Sequence, residues 1–133
     1  MRQAHFILYV QDQQQSTVFY SAVLQKAPVL DVPGMTQFAL PGGAILGLMP
    51  ESAIVRLLGK TLPDPASARG VPRSELYIQV PSADLYLQRA LAQGGRLLSA
   101  VQARDWGDRA GYCLDPDGHV LAFADARDSA DEH

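Results

Sequence analysis

The chain has 133 residues, 47% of them apolar and 19% charged, with a formal net charge of −3. That length suits one compact domain whose core needs neither metal nor disulfide to hold it, and the acidic balance argues against nucleic acid or an anionic membrane as a partner. A single cysteine, Cys113, excludes an internal disulfide and fits a reducing compartment; no 18-residue apolar run occurs and MRQAHFILYVQDQ turns polar too early for a signal peptide, so a cytoplasmic protein is expected.

The first element is HFILYV (5–10), rich in β-formers, with His5, Ile7 and Tyr9 on one face and Phe6, Leu8 and Val10 on the other. Asp12 then offers a helix N-cap, and Phe19, Ala22 and Val23 fall on one helical face in the segment to Gln25. VLDVPG (29–34), MTQFAL (35–40) and AILGLM (44–49) follow as short strands, the last two joined by the turn PGG (41–43). The order is β-α-β-β-β.

Residues 50–74 interrupt this pattern. SAIVRLLG predicts a short helix capped by Ser52 with Gly59 past its end, and KTLPDPASARGVP reads as an irregular crossover. Arg56, Lys60, Arg69 and Arg73 make the crossover basic; this suits a solvated surface or a grip on a ligand's carboxylate or phosphate.

The pattern then restarts. ELYIQV (75–80) stands 70 residues after HFILYV, and Ser82 takes the place of Asp12 as a cap. Ala83, Leu87, Ala90 and Leu91 give the helix its stripe, and Gly94-Gly95 ends it. RLLSAVQA (96–103), RAGYCL (109–114) and HVLAFA (119–124) read as strands, the last two joined by the DPDG turn at 115–118. The alternation puts Phe6, Leu8, Val10, Leu76, Ile78, Val80, Leu121 and Phe123 on one face of their strands; Tyr112 is expected as core under a helix. Cys113 reads as a small buried hydrophobe rather than a nucleophile. The fold class is therefore α+β, with module one over 4–50, the crossover over 51–74, module two over 75–125 and a polar tail over 126–133.

HFILYVQD followed by STVFY (16–20), together with WGDRAGYCLDPDGHVLAF (106–123), resembles the vicinal oxygen chelate superfamily of glyoxalases, bleomycin-resistance proteins and extradiol dioxygenases. The resemblance spans residues 4–125. It implies two βαβββ modules whose curved mixed sheets cup a cleft with helices on the convex side, and a homodimer. By this resemblance the strand face that includes Phe6, Leu8, Leu121 and Phe123 is the one under the helices. Metal-dependent members place one ligand on each of four strands, at positions matched here by His5, Gly47, Glu75 and Ala122. His5 keeps an imidazole and Glu75 brings a carboxylate, but Gly47 and Ala122 have no donor side chain. Two protein ligands are too few where three or four are usual, so neither metal nor other cofactor is expected. His119 and Asp125 are the nearest spare donors, and alternation points both away from the face of Ala122.

His5 and Glu75 remain candidate catalytic residues: an acid–base pair, a polar anchor for a ligand, or an ion pair between the modules are the roles open to them. Tyr9, Gly47, Met49, Tyr77, Trp106 and Ala122 are expected to line a ligand-binding cleft, aromatic and thioether groups suiting a flat organic molecule, with Gly47 and Ala122 leaving room where a metal would have sat. The function expected from the resemblance is metal-independent binding or sequestration of a small organic ligand, as in antibiotic resistance. The alternative is a lyase, isomerase or dioxygenase of the same superfamily with an incomplete metal site. A scaffold role has nothing positive in the sequence beyond the expected dimer.

Overall fold

The computed structural model describes residues 1–126, so the expected tail lies outside the described residues from residue 127 on. The chain forms two compact units, Met1–Val71 and a second beginning at Pro72. In the first, β1 (His5–Val10), α1 (Gln13–Leu24), β2 (Leu30–Val32), β3 (Met35–Ala39) and β4 (Ile45–Pro50) are followed by α2 (Glu51–Leu58). In the second, β5 (Glu75–Gln79), α3 (Ala83–Ala92), β6 (Arg96–Ala103), β7 (Arg109–Leu114) and β8 (Val120–Asp125) repeat the order β-α-β-β-β. The sheets are ordered β1-β4-β3-β2 and β5-β8-β7-β6, so each module is mixed: its first strand runs parallel to its last and the rest pair antiparallel. The expected α+β architecture of two βαβββ modules is the one found. None of the described helices is long and apolar enough to cross a membrane.

Local chemistry sets the helix boundaries. The Asp12 carboxylate accepts from Gln15 N at 2.9 Å and the Ser82 hydroxyl from Leu85 N at 3.2 Å, satisfying amides that have no partner inside their helices. Ser52 is not the cap of α2: that helix starts two residues earlier than such a cap implies, after Pro50, and has no side-chain cap. Its Glu51 is buried in an ion pair with Arg69 at 2.5 Å, which ties the crossover back onto the helix.

In the first unit Phe19, Tyr20, Val23 and Leu24 of α1 are buried with Leu8, Val10, Phe38, Leu46 and Leu48 of the sheet. Each such side chain contributes about 1.5–3 kcal/mol by leaving water. Phe6 departs from the expected pattern at 56% exposed; it lies near the start of β1, which is an edge strand. Polar groups are also held under α1. Thr36 is fully buried, and its hydroxyl accepts from Gln13 Nε2 and Thr17 Oγ1, each at 2.9 Å, and donates to Asp31 at 3.1 Å.

In the second unit Leu87 of α3 reaches the sheet at Gly111, where a Cβ would lie 2.9 Å from Leu87 Cδ2 and 2.8 Å from Val101 Cγ2. Phe123 meets the Tyr86 ring of α3 at 5.8 Å between centroids. These contacts fix the face of β7 that the helix covers: Gly111 and Cys113 lie under α3, and Tyr112 points the other way. Tyr112 is therefore not core under the helix. His119 and Asp125 do lie on the helix side of β8: His119 Nδ1 is 3.0 Å from the Ser74 hydroxyl, and Asp125 accepts from Ala83 N at 2.8 Å.

Gly111→Ala should cost about 1–3 kcal/mol through overpacking against Val101 and Leu87, read as a lowered urea midpoint with an unchanged slope. A second expectation concerns pH. Burial, reinforced by Asp115, pushes the Cys113 thiol up to about 12 from an ordinary value of 9.0. The unfolded chain's thiol ionises first, so this stabilisation is complete below pH 9 and lost as pH rises toward 12. Cys113→Ala should flatten the fall in stability across that window, measured by urea unfolding at a series of pH values.

Candidate functional site

Strand register decides which residues share a row on the helix-free face of each sheet. In the first unit Ile7, Gly47 and Gln37 form one row, and the next is Tyr9, Met49 and, beyond it, Met35. His5 stands at the exposed start of β1 in register with Ile45. Tyr9 and Met49, both half-buried, are thus brought side by side.

Gly47 does not sit over open space. A Cβ added there would be 3.2 Å from Ile7 Cγ1 and 3.2 Å from Met35 Sδ. The neighbouring strands have filled the place with their own apolar side chains, Met35 bending over from β3.

In the second unit Tyr77, Ala122 and Tyr112 form one row across β5, β8 and β7, and Glu75 begins β5 on the same face. Adjacent strands are about 4.8 Å apart, so the two tyrosine backbones stand roughly 10 Å apart with alanine between them. Ala122 has no exposed surface. The room expected at Gly47 and Ala122 is therefore already occupied or covered.

The hairpin joining β6 to β7 supplies groups that the sequence expectation did not include. Tyr77 donates its hydroxyl proton to Asp108 Oδ2 and accepts a hydrogen bond from the Trp106 indole at 2.9 Å. Burial and the Asp108 bond raise the Tyr77 phenol above its ordinary value, and burial, then the Glu75 charge, raises Tyr112 in the same direction. Both phenols therefore stay protonated at neutral pH. Arg104 lies over the Tyr112 ring at 5.1 Å, a cation–π contact, while its donors go to Ala110 O, Ser99 Oγ and Ala100 O. Asp108, Arg104 and Tyr112 were legible only through the register of β7, since nothing in RDWGDR marks which side of the sheet its tip folds toward.

A model of the Glyoxalase/Bleomycin resistance protein/Dioxygenase superfamily matches residues 2–123. The chain belongs to that superfamily. Among solved structures, a glyoxalase-related enzyme from Fulvimarina pelagi is 27% identical, with a TM-score of 0.77 over 92% of this chain and 86% of that one. An Agrobacterium tumefaciens protein solved by NMR is 28% identical, with a TM-score of 0.70 over 93% of this chain and 96% of its own. An uncharacterized Mycobacterium tuberculosis protein is 38% identical over 61 residues, 46% of this chain but only 35% of that protein.

A divalent ion of the kind some superfamily members use does not fit the donors present. His5 and Glu75 can coordinate, but the other two strand positions are Gly47 and Ala122, without a nitrogen or oxygen side-chain donor. Ile7 and Met35 crowd the first of these, and the second has no exposed surface. Among the described residues no three His, Cys, Asp or Glu side chains gather as a metal-holding group. Two of the crossover arginines are engaged elsewhere: Arg69 pairs with Glu51, and Arg73 donates to Asp117 O at 2.7 Å.

Gly47→His would put an imidazole back on β4. It should lower stability by about 1–3 kcal/mol by displacing Ile7 and Met35, without creating a tight nickel site. Urea unfolding and a calorimetric nickel titration of the variant check both halves.

Proposed function

We propose that this superfamily member is a metal-independent binding protein that captures a small, flat organic molecule on the helix-free faces of its sheets. The observation that carries this reading is the character of the rows at the two donorless positions. Gly47 sits among Ile7, Met35, Tyr9 and Met49, and Ala122 between Tyr77 and Tyr112, with Trp106 of the adjoining hairpin 59% exposed. Such surfaces offer stacking and adaptable thioether contact, with few polar groups to fix orientation. His5 and Glu75, exposed at the starts of β1 and β5, are the polar anchors of this reading. A homodimer and a cytoplasmic location belong to the same proposal.

The likeness to a protein described as a glyoxalase-related enzyme favours a second reading. In it the chain is a lyase, isomerase or dioxygenase, with His5 and Glu75 moving protons or helped by a donor from outside these strands. Metal content separates the two. Untagged protein analysed by mass spectrometry, then titrated with nickel, zinc, manganese and iron(II), should hold no near-stoichiometric metal. A ligand panel read through the single tryptophan should give saturable binding that Tyr112→Ala weakens about tenfold or more, as for loss of a stacking platform. Stoichiometric metal that His5→Ala abolishes would overturn the first reading in favour of the enzyme.

A further inference from the structure

The hairpin between β6 and β7 folds back over its own sheet. Two register shifts interrupt the β6–β7 ladder, between Leu97 and Ser99 and between Ser99 and Gln102. Irregularities of this kind bend a ribbon and increase its twist. The tip then reaches β5, although β8 lies between β5 and β7 in the sheet.

The hairpin is held unevenly. At its stem Arg104 donates to Ala110 O, Ser99 Oγ and Ala100 O and lies over the Tyr112 ring, and Arg104 N donates to Asp108 O at 2.8 Å. Two side chains of the tip hydrogen-bond to one atom of β5. The Tyr77 hydroxyl oxygen both donates to Asp108 and accepts from Trp106. Gly107, at φ +102°, sits between those two residues in a conformation that L side chains avoid. A polar clasp this small, on a half-exposed surface, opens at far lower cost than the packed core.

We propose that residues 105–108 are a lid over the Tyr77–Ala122–Tyr112 row, latched shut by the Tyr77 hydroxyl. Arg104 is the fixed stem, Gly107 the point of bending, and Trp106 the side chain that swings. The proposal rests on the binding reading above and adds how that face is opened. The latch also states what a ligand must bring. To hold the lid open it needs a group that accepts from the indole N–H and donates to the Asp108 carboxylate, as a hydroxyl or a primary amide does, on a flat ring that stacks between the aromatic side chains.

The test needs no ligand, so its failure is distinct from a failure of the binding reading. The full chain labelled with 15N has one indole N–H, that of Trp106. In the wild type its heteronuclear NOE should match the ordered backbone. In Tyr77→Phe it should drop to that of a mobile side chain, with the loss of order confined to residues 105–108 and the rest of the second unit as ordered as in the wild type. Access to the row is read separately, by the rate at which a thiol reagent modifies an Ala122→Cys variant. Adding Tyr77→Phe should speed modification about three- to tenfold, the change in open population expected for losing one or two hydrogen bonds. Should Tyr77→Phe fail to fold, Asp108→Asn, which weakens one arm of the latch, is read the same way with a smaller change expected. An indole signal and a modification rate that match the wild type in a folded variant would overturn the lid, as would a loss of order spread over the whole second unit.

Discussion

Each module is closed by a parallel pairing between its first strand and its last, β1 with β4 and β5 with β8. A parallel pair cannot be joined by a tight turn, so the chain between must travel, and it does so through a helix laid on one face and two antiparallel strands. That one constraint separates a covered face from a bare one. It also sets the rows on the bare face: Ile7 beside Gly47, Tyr77 beside Ala122. Because side chains alternate along a strand, a shift of one residue in either pairing would send every one of these groups to the opposite face. The buried leucines and phenylalanines under the helices, Leu8, Leu46 and Leu48 in one unit and Leu121 and Phe123 in the other, hold the register in place.

The two modules share this plan and use it differently. In the first, Ile7 and Met35 pack over a glycine at the middle of the bare face, with Gln37 in the same row. In the second, the middle is an alanine between two phenols, and those phenols are tied to charged groups on a bent hairpin. Neither arrangement resembles a vacated metal site. Where a metal ligand would have projected, Ile7 and Met35 crowd the position in the first module, and in the second the position is an alanine with no exposed surface.

Electrostatics on the second face also follow from the fold. Tyr77 and Tyr112 are pushed the same way, first by burial and then by carboxylates, Asp108 for one and Glu75 for the other. A phenol kept protonated is a dependable donor, and Tyr77 spends its proton on Asp108. The Arg104 guanidinium is engaged by carbonyl and hydroxyl acceptors of its own hairpin.

By itself the sequence determined the element order, the duplication, both main helix caps, the buried state of Cys113 and the absence of donors at positions 47 and 122. These are local: they depend on alternation, turn chemistry and the identity of single residues. His119 and Asp125 were correctly turned away from Ala122 because alternation within one strand decides their side. Only the tertiary structure decided what is contingent on partners in space. It turned Tyr112 away from the helix, since the side chosen by β7 depends on Leu87 meeting Gly111. It filled the space beside Gly47 with Met35, a residue twelve positions away whose direction no pattern encodes. It left Phe6 exposed near the start of an edge strand. And it brought Trp106 and Asp108 onto Tyr77, because the bend of the β6–β7 ladder arises from two mismatched pairings that exist only once both strands are side by side.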